Sequence, residues 1–300
     1  MLHKFRFKAM ASENELQLYA NDRTQAEALA AAATAEVSRI EEKYSRYRTS
    51  SVVSQINAGA GKVPVGLDQE TVTLLDYAER CYALSDGLFD ITSGVLRQIW
   101  NFSVPKVPSK KEIEEKLALI GWRSVERTSS SIFLPRPGME IDFGGIGKEY
   151  AADAAAQRLM DGGVRHAMVN LAGDIRVIGP HADGSPWKIG ITHPRLRGSV
   201  IASVAVSTGA TTTSGDYERF FELDGRRYCH ILNPRTGYPV SGLQSVTVCA
   251  PSCLVAGSIC TIGMLMGPKR GAAFVADNAE RFIVVKHDSS VISAPRDPMP

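Results

Sequence analysis

The segment His230-Ile-Leu-Asn-Pro-Arg-Thr-Gly237 sets an imidazole and a guanidinium beside a turn fixed by Pro234 and Gly237. Histidine exchanges a proton near neutral pH, and arginine binds a phosphate or a carboxylate. A second segment, Ile141-Asp-Phe-Gly-Gly-Ile-Gly-Lys148, places three glycines between an expected strand and an expected helix. Backbone N–H groups at such a helix start suit a phosphate, and glycine allows close backbone approach. The spacing is neither the dinucleotide fingerprint nor a P-loop, so on its own a tight turn without a ligand is the favoured reading. Thr211-Thr-Thr-Ser-Gly-Asp-Tyr217 is rich in hydroxyls and reads as a turn, able to hold phosphate or ribose oxygens or to cap itself. Further glycines punctuate Ser85-Asp-Gly-Leu-Phe-Asp90 and Asn170-Leu-Ala-Gly-Asp174.

The elements that must position these residues follow from periodicity. Residues 4–20 alternate as a strand or hairpin, and Thr24–Tyr44 shows helical spacing through Leu29, Ala33, Val37 and Ile40. Arg46–Asn57 is a polar loop leading into a short helix. Leu67–Ser85, Ser109–Ile120 and Lys148–Met160 are helices, the second opened by Ser109 as a cap and the third ended by Gly162 and Gly163. Ser131–Pro135 and Met139–Phe143 read as strands. Seven more are expected in 166–248, then a buried helix over Leu254–Met266 and two closing strands, Phe282–Val285 and Ser290–Ile292. Helices dominate the first half and strands the second, which predicts an α+β fold. With no linker and no repeat, residues 1–300 read as one domain, compact or with two intertwined lobes.

Composition narrows the function classes. The 300 residues are 44% hydrophobic and 22% charged, ordinary for a folded protein, which excludes disorder, collagen and coiled coil. With 34 basic and 32 acidic residues, the formal charge of +2 gives no footprint for nucleic acid or an anionic membrane. Lys4, Arg6 and Lys8 interrupt the N-terminal apolar residues where a signal segment would run unbroken, and no lipobox-like cysteine follows. No apolar run approaches the roughly 20 residues of a membrane helix, so a soluble, cytoplasmic protein is expected. The five cysteines are irregularly spaced and read as free thiols.

Taken together and in order, the motifs resemble those of the ApbE-like FAD:protein FMN transferases, formerly described as thiamine-biosynthesis lipoproteins. The resemblance runs from Met10 to Gly267. It rests on Tyr44-Ser-Arg-Tyr-Arg-Thr-Ser-Ser51 with Asn57, Gly87-Leu-Phe-Asp-Ile-Thr92, Asp142–Lys148 with Tyr150 and Asp153, Asn170–Asp174, Thr213-Ser-Gly-Asp-Tyr-Glu-Arg219, and His230–Gly237. It implies antiparallel sheets with packed helices, a T-fold-like architecture. It also implies a metal-dependent enzyme that moves FMN from FAD to a Thr or Ser hydroxyl of a partner flavoprotein, releasing AMP, with Mg2+ as the usual metal. His230 becomes the candidate base. Tyr47 and Phe89 become flat contacts for the flavin, Asp90 and Asp142 hydrogen-bond the cofactor, and Lys148 and Arg235 sit near phosphates. Met10, Leu88, Thr213, Ser214, Gly215 and Ile231 complete the implied cofactor site, while Gly145 and Thr261 are the implied metal ligands.

Four departures qualify this expectation. Met10-Ala-Ser12 stands where the family has Met-Gly-Thr, Lys148-Glu-Tyr150 where it has Lys-Gly-Tyr, and Asn233 where it has Asp. The fourth is the most serious: Gly257-Ser-Ile-Cys-Thr261 replaces Asp-Ala-Leu-x-Thr, whose Asp and Thr share one helix face and bind the metal. Hard divalent cations prefer carboxylate oxygen, so the loss should weaken Mg2+ or bring water or Ser258 into its place. Glu149 compensates only if it reaches. Two functions are therefore expected: an active transferase with an altered metal site, or a flavin-binding relative with little or no transfer. Ser207-Thr-Gly-Ala-Thr211 also resembles the sequence such enzymes modify, raising self-flavinylation at Thr211, but the usual upstream aspartate is absent and a strand running into the active-site turn is the preferred reading.

Overall fold

The computed structural model describes residues 1–295. The chain opens with the hairpin β1 (Leu2–Ala9) and β2 (Ser12–Tyr19), followed by α1 (Arg23–Tyr44), α2 (Val52–Ala58), a short β3 (Val65–Gly66) and α3 (Gln69–Leu84). A 3-10 segment over Ile91–Gln98 precedes α4 (Lys110–Leu117), β4 (Glu126–Arg127), β5 (Ser131–Phe133) and α5 (Gly147–Asp161). Then come β6 (Ala167–Leu171), β7 (Asp174–Ile178), β8 (Trp187–Thr192), β9 (Val200–Val206), β10 (Gly209–Gly215), β11 (Phe220–Leu223), β12 (Arg226–Cys229) and β13 (Leu243–Ala250). The long α6 (Cys253–Asn278), β14 (Arg281–Lys286) and β15 (Val291–Ala294) close the described chain.

Eight strands form one antiparallel sheet in the order β1-β2-β6-β7-β10-β13-β14-β15. Alternate side chains point to opposite faces of a strand, and the sheet uses both. Phe282 and Val284 join the main core with the helices, whereas Ile283 and Val285 pack with Trp187, Ile189 and Val204 of the β8–β9 hairpin. On the helical face, α1 buries a stripe of Ala26, Ala30, Ala33, Val37 and Ile40. It meets α5, which buries Ala151, Ala152, Ala155 and Ala156; such small side chains let the two helices approach closely. Helix α6 lies on β10 and β13, and a break at Gly267-Pro268, with Gly267 at φ 76°, lets it turn and continue to Asn278.

The α+β expectation holds, and two segments differ from it. Thr211–Ser214 is no turn: it lies within β10, paired with β7 and β13 in the middle of the sheet, where β-branched threonines fit the pleat. Met139–Phe143 is extended but joins no sheet. Asn57 takes the place of a neighbouring strand, accepting from the Ile141 N–H at 2.8 Å and donating to its carbonyl at 3.1 Å. Thr211 is 1% exposed, and its hydroxyl faces the Cys249 thiol at 3.3 Å. Buried in a central strand, its hydroxyl does not offer the open position that an acceptor for flavin needs.

Candidate active site

A cleft of about 530 Å³ opens beside the C-terminal end of β10, and most of the motif residues converge on it. The β1–β2 turn contributes Met10, which with Ala11 adopts positive φ (52° and 57°), the twist a two-residue hairpin loop requires. The C-terminal end of α1 and the loop after it contribute Tyr44, Arg46 and Tyr47, and the loop after α3 contributes Leu88 and Phe89. The glycine turn brings Asp142, Gly144 and Gly145, and α5 starts within the cleft wall with Gly147, Lys148 and Glu149. β10 adds Thr213, Ser214 and Gly215, the segment after β12 adds His230 and Ile231, and α6 adds Thr261.

The start of α5 has no side-chain cap. Its first N–H groups and its dipole therefore favour an anion in the cleft. Lys148 pairs with Asp174 at 2.8 Å. Burial works against its charge, but the Asp174 and Glu149 carboxylates outweigh burial and hold it protonated. Arg46, Arg97 and Arg219 add positive charge to the same walls. The site can therefore face a phosphorylated ligand.

His230 is held by its backbone N–H, which donates to the Arg219 carbonyl at 3.0 Å. Its Nδ1 is buried and without a partner. Burial, reinforced by the positive charges of Arg97 and Arg219, pushes its pKa down to about 4. A group with that pKa is neutral across the physiological range, and phosphates bound beside Arg97 and Arg219 would offset their charge and raise its basicity. In the ligand-free protein, an NMR titration of the His230 ring should show no protonation step between pH 8 and 5.5; a midpoint near 6.5 contradicts this environment.

Two expected cofactor contacts are committed elsewhere. Asp90 lies at the cleft wall, but its Oδ1 accepts from the Thr92 N–H at 2.8 Å and hydroxyl at 2.6 Å, and its Oδ2 from the Trp122 N–H at 3.2 Å. It is a positioning residue that caps the Ile91–Gln98 segment. Arg235 does not line the cleft, because its guanidinium turns outward to the carbonyl and carboxylate of Asp86. Asp142 keeps its place, shared among the Gly144 N–H at 2.8 Å, Arg97 at 3.2 Å and Arg46 at 3.4 Å. Phe89 is buried with its ring under Gly145, where an added Cβ would lie 3.1 Å from it. Tyr47 stands at the rim, 79% exposed with the Arg46 guanidinium over its ring, available to a flat ligand.

The expected metal residues divide. Gly145 and Thr261 line the cleft, and the Thr261 hydroxyl lies 3.2 Å from that of Ser214. Ser258 does not replace the missing carboxylate: it bonds the Leu254 carbonyl at 2.8 Å and the Tyr77 hydroxyl at 3.1 Å, away from the cleft. A Cβ built on Gly257 would lie 2.5 Å from Glu149 Cγ and 2.8 Å from its Oε1. Glu149 is 8% exposed, and its Oε2 is buried without a partner. Burial, together with the Asp174 charge, pushes its pKa well above the carboxylate range. These donors are hard oxygens that fit a small divalent cation. Among the described residues no three His, Cys, Asp or Glu side chains converge as a metal cage. Such a donor set suits a small divalent cation only where ligand phosphates and water complete its shell.

Sequence reasoning passed over Arg97, Asp174 and Glu218, which also line the cleft. Asp174 closes a quoted motif and could have been weighed. Arg97 lies in the 3-10 segment Ile91–Gln98, just past the Gly87–Thr92 motif, and no quoted motif includes it.

Comparison with known proteins gives a consistent result. Residues 10–284 match the model of the ApbE family. The chain is 33% identical over 295 residues to an FAD:protein FMN transferase of Klebsiella pneumoniae, covering 96% of this chain and 90% of that one. It is 32% identical to a protein of the same name from Vibrio cholerae, covering 83% and 77%. Among solved structures, the ApbE protein of Thermotoga maritima superposes with a TM-score of 0.88 at 34% identity, covering 98% and 97%. The apo flavinyl transferase ApbE of Pseudomonas stutzeri gives 0.87 at 29% identity, covering 98% and 95%.

Proposed function

The chain belongs to the ApbE family, and from that premise we propose that it transfers FMN from FAD to a Thr or Ser hydroxyl of a partner flavoprotein, releasing AMP. One observation carries this reading. A single cleft gathers an unpartnered neutral imidazole, an uncapped helix start and three arginines around space for a nucleotide.

The acceptor hydroxyl oxygen attacks the phosphorus on the riboflavin side of the pyrophosphate. A new P–O ester bond forms, the bridging P–O bond breaks, and AMP leaves with the bridging oxygen. His230 takes the hydroxyl proton as attack proceeds; such general-base help is worth roughly 10²–10⁴-fold. Arg46, Arg97, Arg219 and Lys148 bind the phosphates and hold the phosphorus in line with the hydroxyl. Tyr47, at the rim, covers the flavin. A divalent cation, Mg2+ by the oxygen character of the donors, supplies neutralisation of the charge that grows on departing AMP. Gly145 and Thr261, which line the cleft, would hold it.

The test is incubation with FAD, Mg2+ and an acceptor protein carrying the threonine motif, followed by denaturing electrophoresis and flavin fluorescence. A fluorescent acceptor band that disappears when the acceptor threonine is changed to alanine supports the reading. Tight FAD binding with no labelled acceptor favours a flavin-binding role instead.

A further inference from the structure

Resting on that reading, we propose that Glu149 is the anionic ligand of the cation, reaching from α5 into the space that a carboxylate on position 257 of α6 would fill. The two departures at 149 and 257 then form one exchange: the carboxylate has moved from one helix to the other, and the glycine has moved the opposite way.

The packing makes the exchange reciprocal. Gly257 has no room for a side chain because Glu149 Cγ, Oε1 and Cδ lie 2.5, 2.8 and 3.0 Å from its Cβ position. Glu149 lies in that space because α5 and α6 are clamped together one turn further on. There Asp153 accepts the Cys253 and Leu254 N–H groups at 2.9 Å each, capping the start of α6. Glu149 and Asp153 share a face of α5 by their i, i+4 spacing, as Gly257 and Thr261 share a face of α6. The cap thus sets Glu149 on Gly257, on the face of α6 that carries Thr261 one turn further on. Glu149 and Thr261 both line the cleft.

The state of Glu149 also points to a ligand. A buried carboxylate that only supports a fold is normally paired or hydrogen-bonded. Here Oε2 is enclosed and unpartnered. Lys148, its neighbour, is engaged with Asp174 at 2.8 Å. A cation between Glu149, the Thr261 hydroxyl and ligand phosphate oxygens satisfies that atom.

The experiment is Mn2+ binding to the full chain, followed by loss of the free-ion paramagnetic signal, with FAD binding measured separately by fluorescence. Wild type should bind Mn2+ and yield it to Mg2+. E149Q keeps the side-chain shape and should weaken Mn2+ by tenfold or more while FAD binding without metal and the thermal melt stay close to wild type. The double variant E149G/G257D, which moves the carboxylate back to α6, should recover affinity to within a few-fold. Unchanged Mn2+ affinity in E149Q, or no recovery in a cooperatively melting double variant, overturns the proposal and leaves the transferase reading intact. If the double variant does not fold, E149Q decides. A wild-type chain that binds neither FAD nor Mn2+ removes both.

Discussion

Replacing His230 with alanine should slow FMN transfer by about 10²–10⁴-fold while FAD affinity changes no more than about threefold. The two effects separate if, as proposed, His230 acts on the acceptor hydroxyl and not on the nucleotide. A threonine hydroxyl is too weak an acid to ionise at pH 7, so the reaction depends on a base that is neutral and free. His230 is both, since burial and the flanking Arg97 and Arg219 charges suppress its protonation and its Nδ1 has no partner. Removing the ring leaves the phosphate contacts of Arg46, Arg97 and Lys148 in place. Single-turnover transfer and equilibrium FAD titration on the same preparation check both halves. A variant that loses FAD binding along with transfer would make His230 a binding residue.

The second large effect runs against intuition. Gly257→Asp alone installs the residue typical of the family, yet it should destabilise this chain by roughly 3 kcal/mol. The new Cβ would lie 2.5 Å from Glu149 Cγ, inside any real contact distance. A second carboxylate would also enter an enclosed space that already holds Glu149 and neighbours Asp174. Helix propensity favours replacing glycine by about 0.5 kcal/mol, too little to offset the clash. Adding Glu149→Gly should return most of the lost stability, because the two sites are coupled. Urea unfolding of the four proteins in this cycle measures the coupling; additive effects would show that residues 149 and 257 do not share the space.

The same pair marks the limit of what the sequence discloses. Each motif is a local string, and local strings were legible: Asp142–Lys148, Thr213–Gly215 and His230–Ile231 all reach one cleft. The sequence offers Glu149 as a carboxylate that could compensate for Gly257 but does not show that it reaches, because their contact exists only once α5 packs on α6. The triple threonine reads as a turn because hydroxyls signal turns, whereas pairing with β13 along its length, and with β7 as far as Thr211, makes it strand. Met139–Phe143 looked like a strand by alternation, but Asn57 supplies its hydrogen bonds. The resemblance gives Asp90 and Arg235 to the ligand. Only the coordinates show Asp90 fully engaged by Thr92 and Trp122, and Arg235 turned towards Asp86.

The most direct measurement is the balance of products. With FAD, Mg2+ and acceptor protein, mass spectrometry should find one FMN joined through phosphate to the acceptor threonine for each AMP released, and little free FMN. AMP released with free FMN and an unmodified acceptor would mean that water takes the place assigned to the acceptor hydroxyl, and would contradict a transferase.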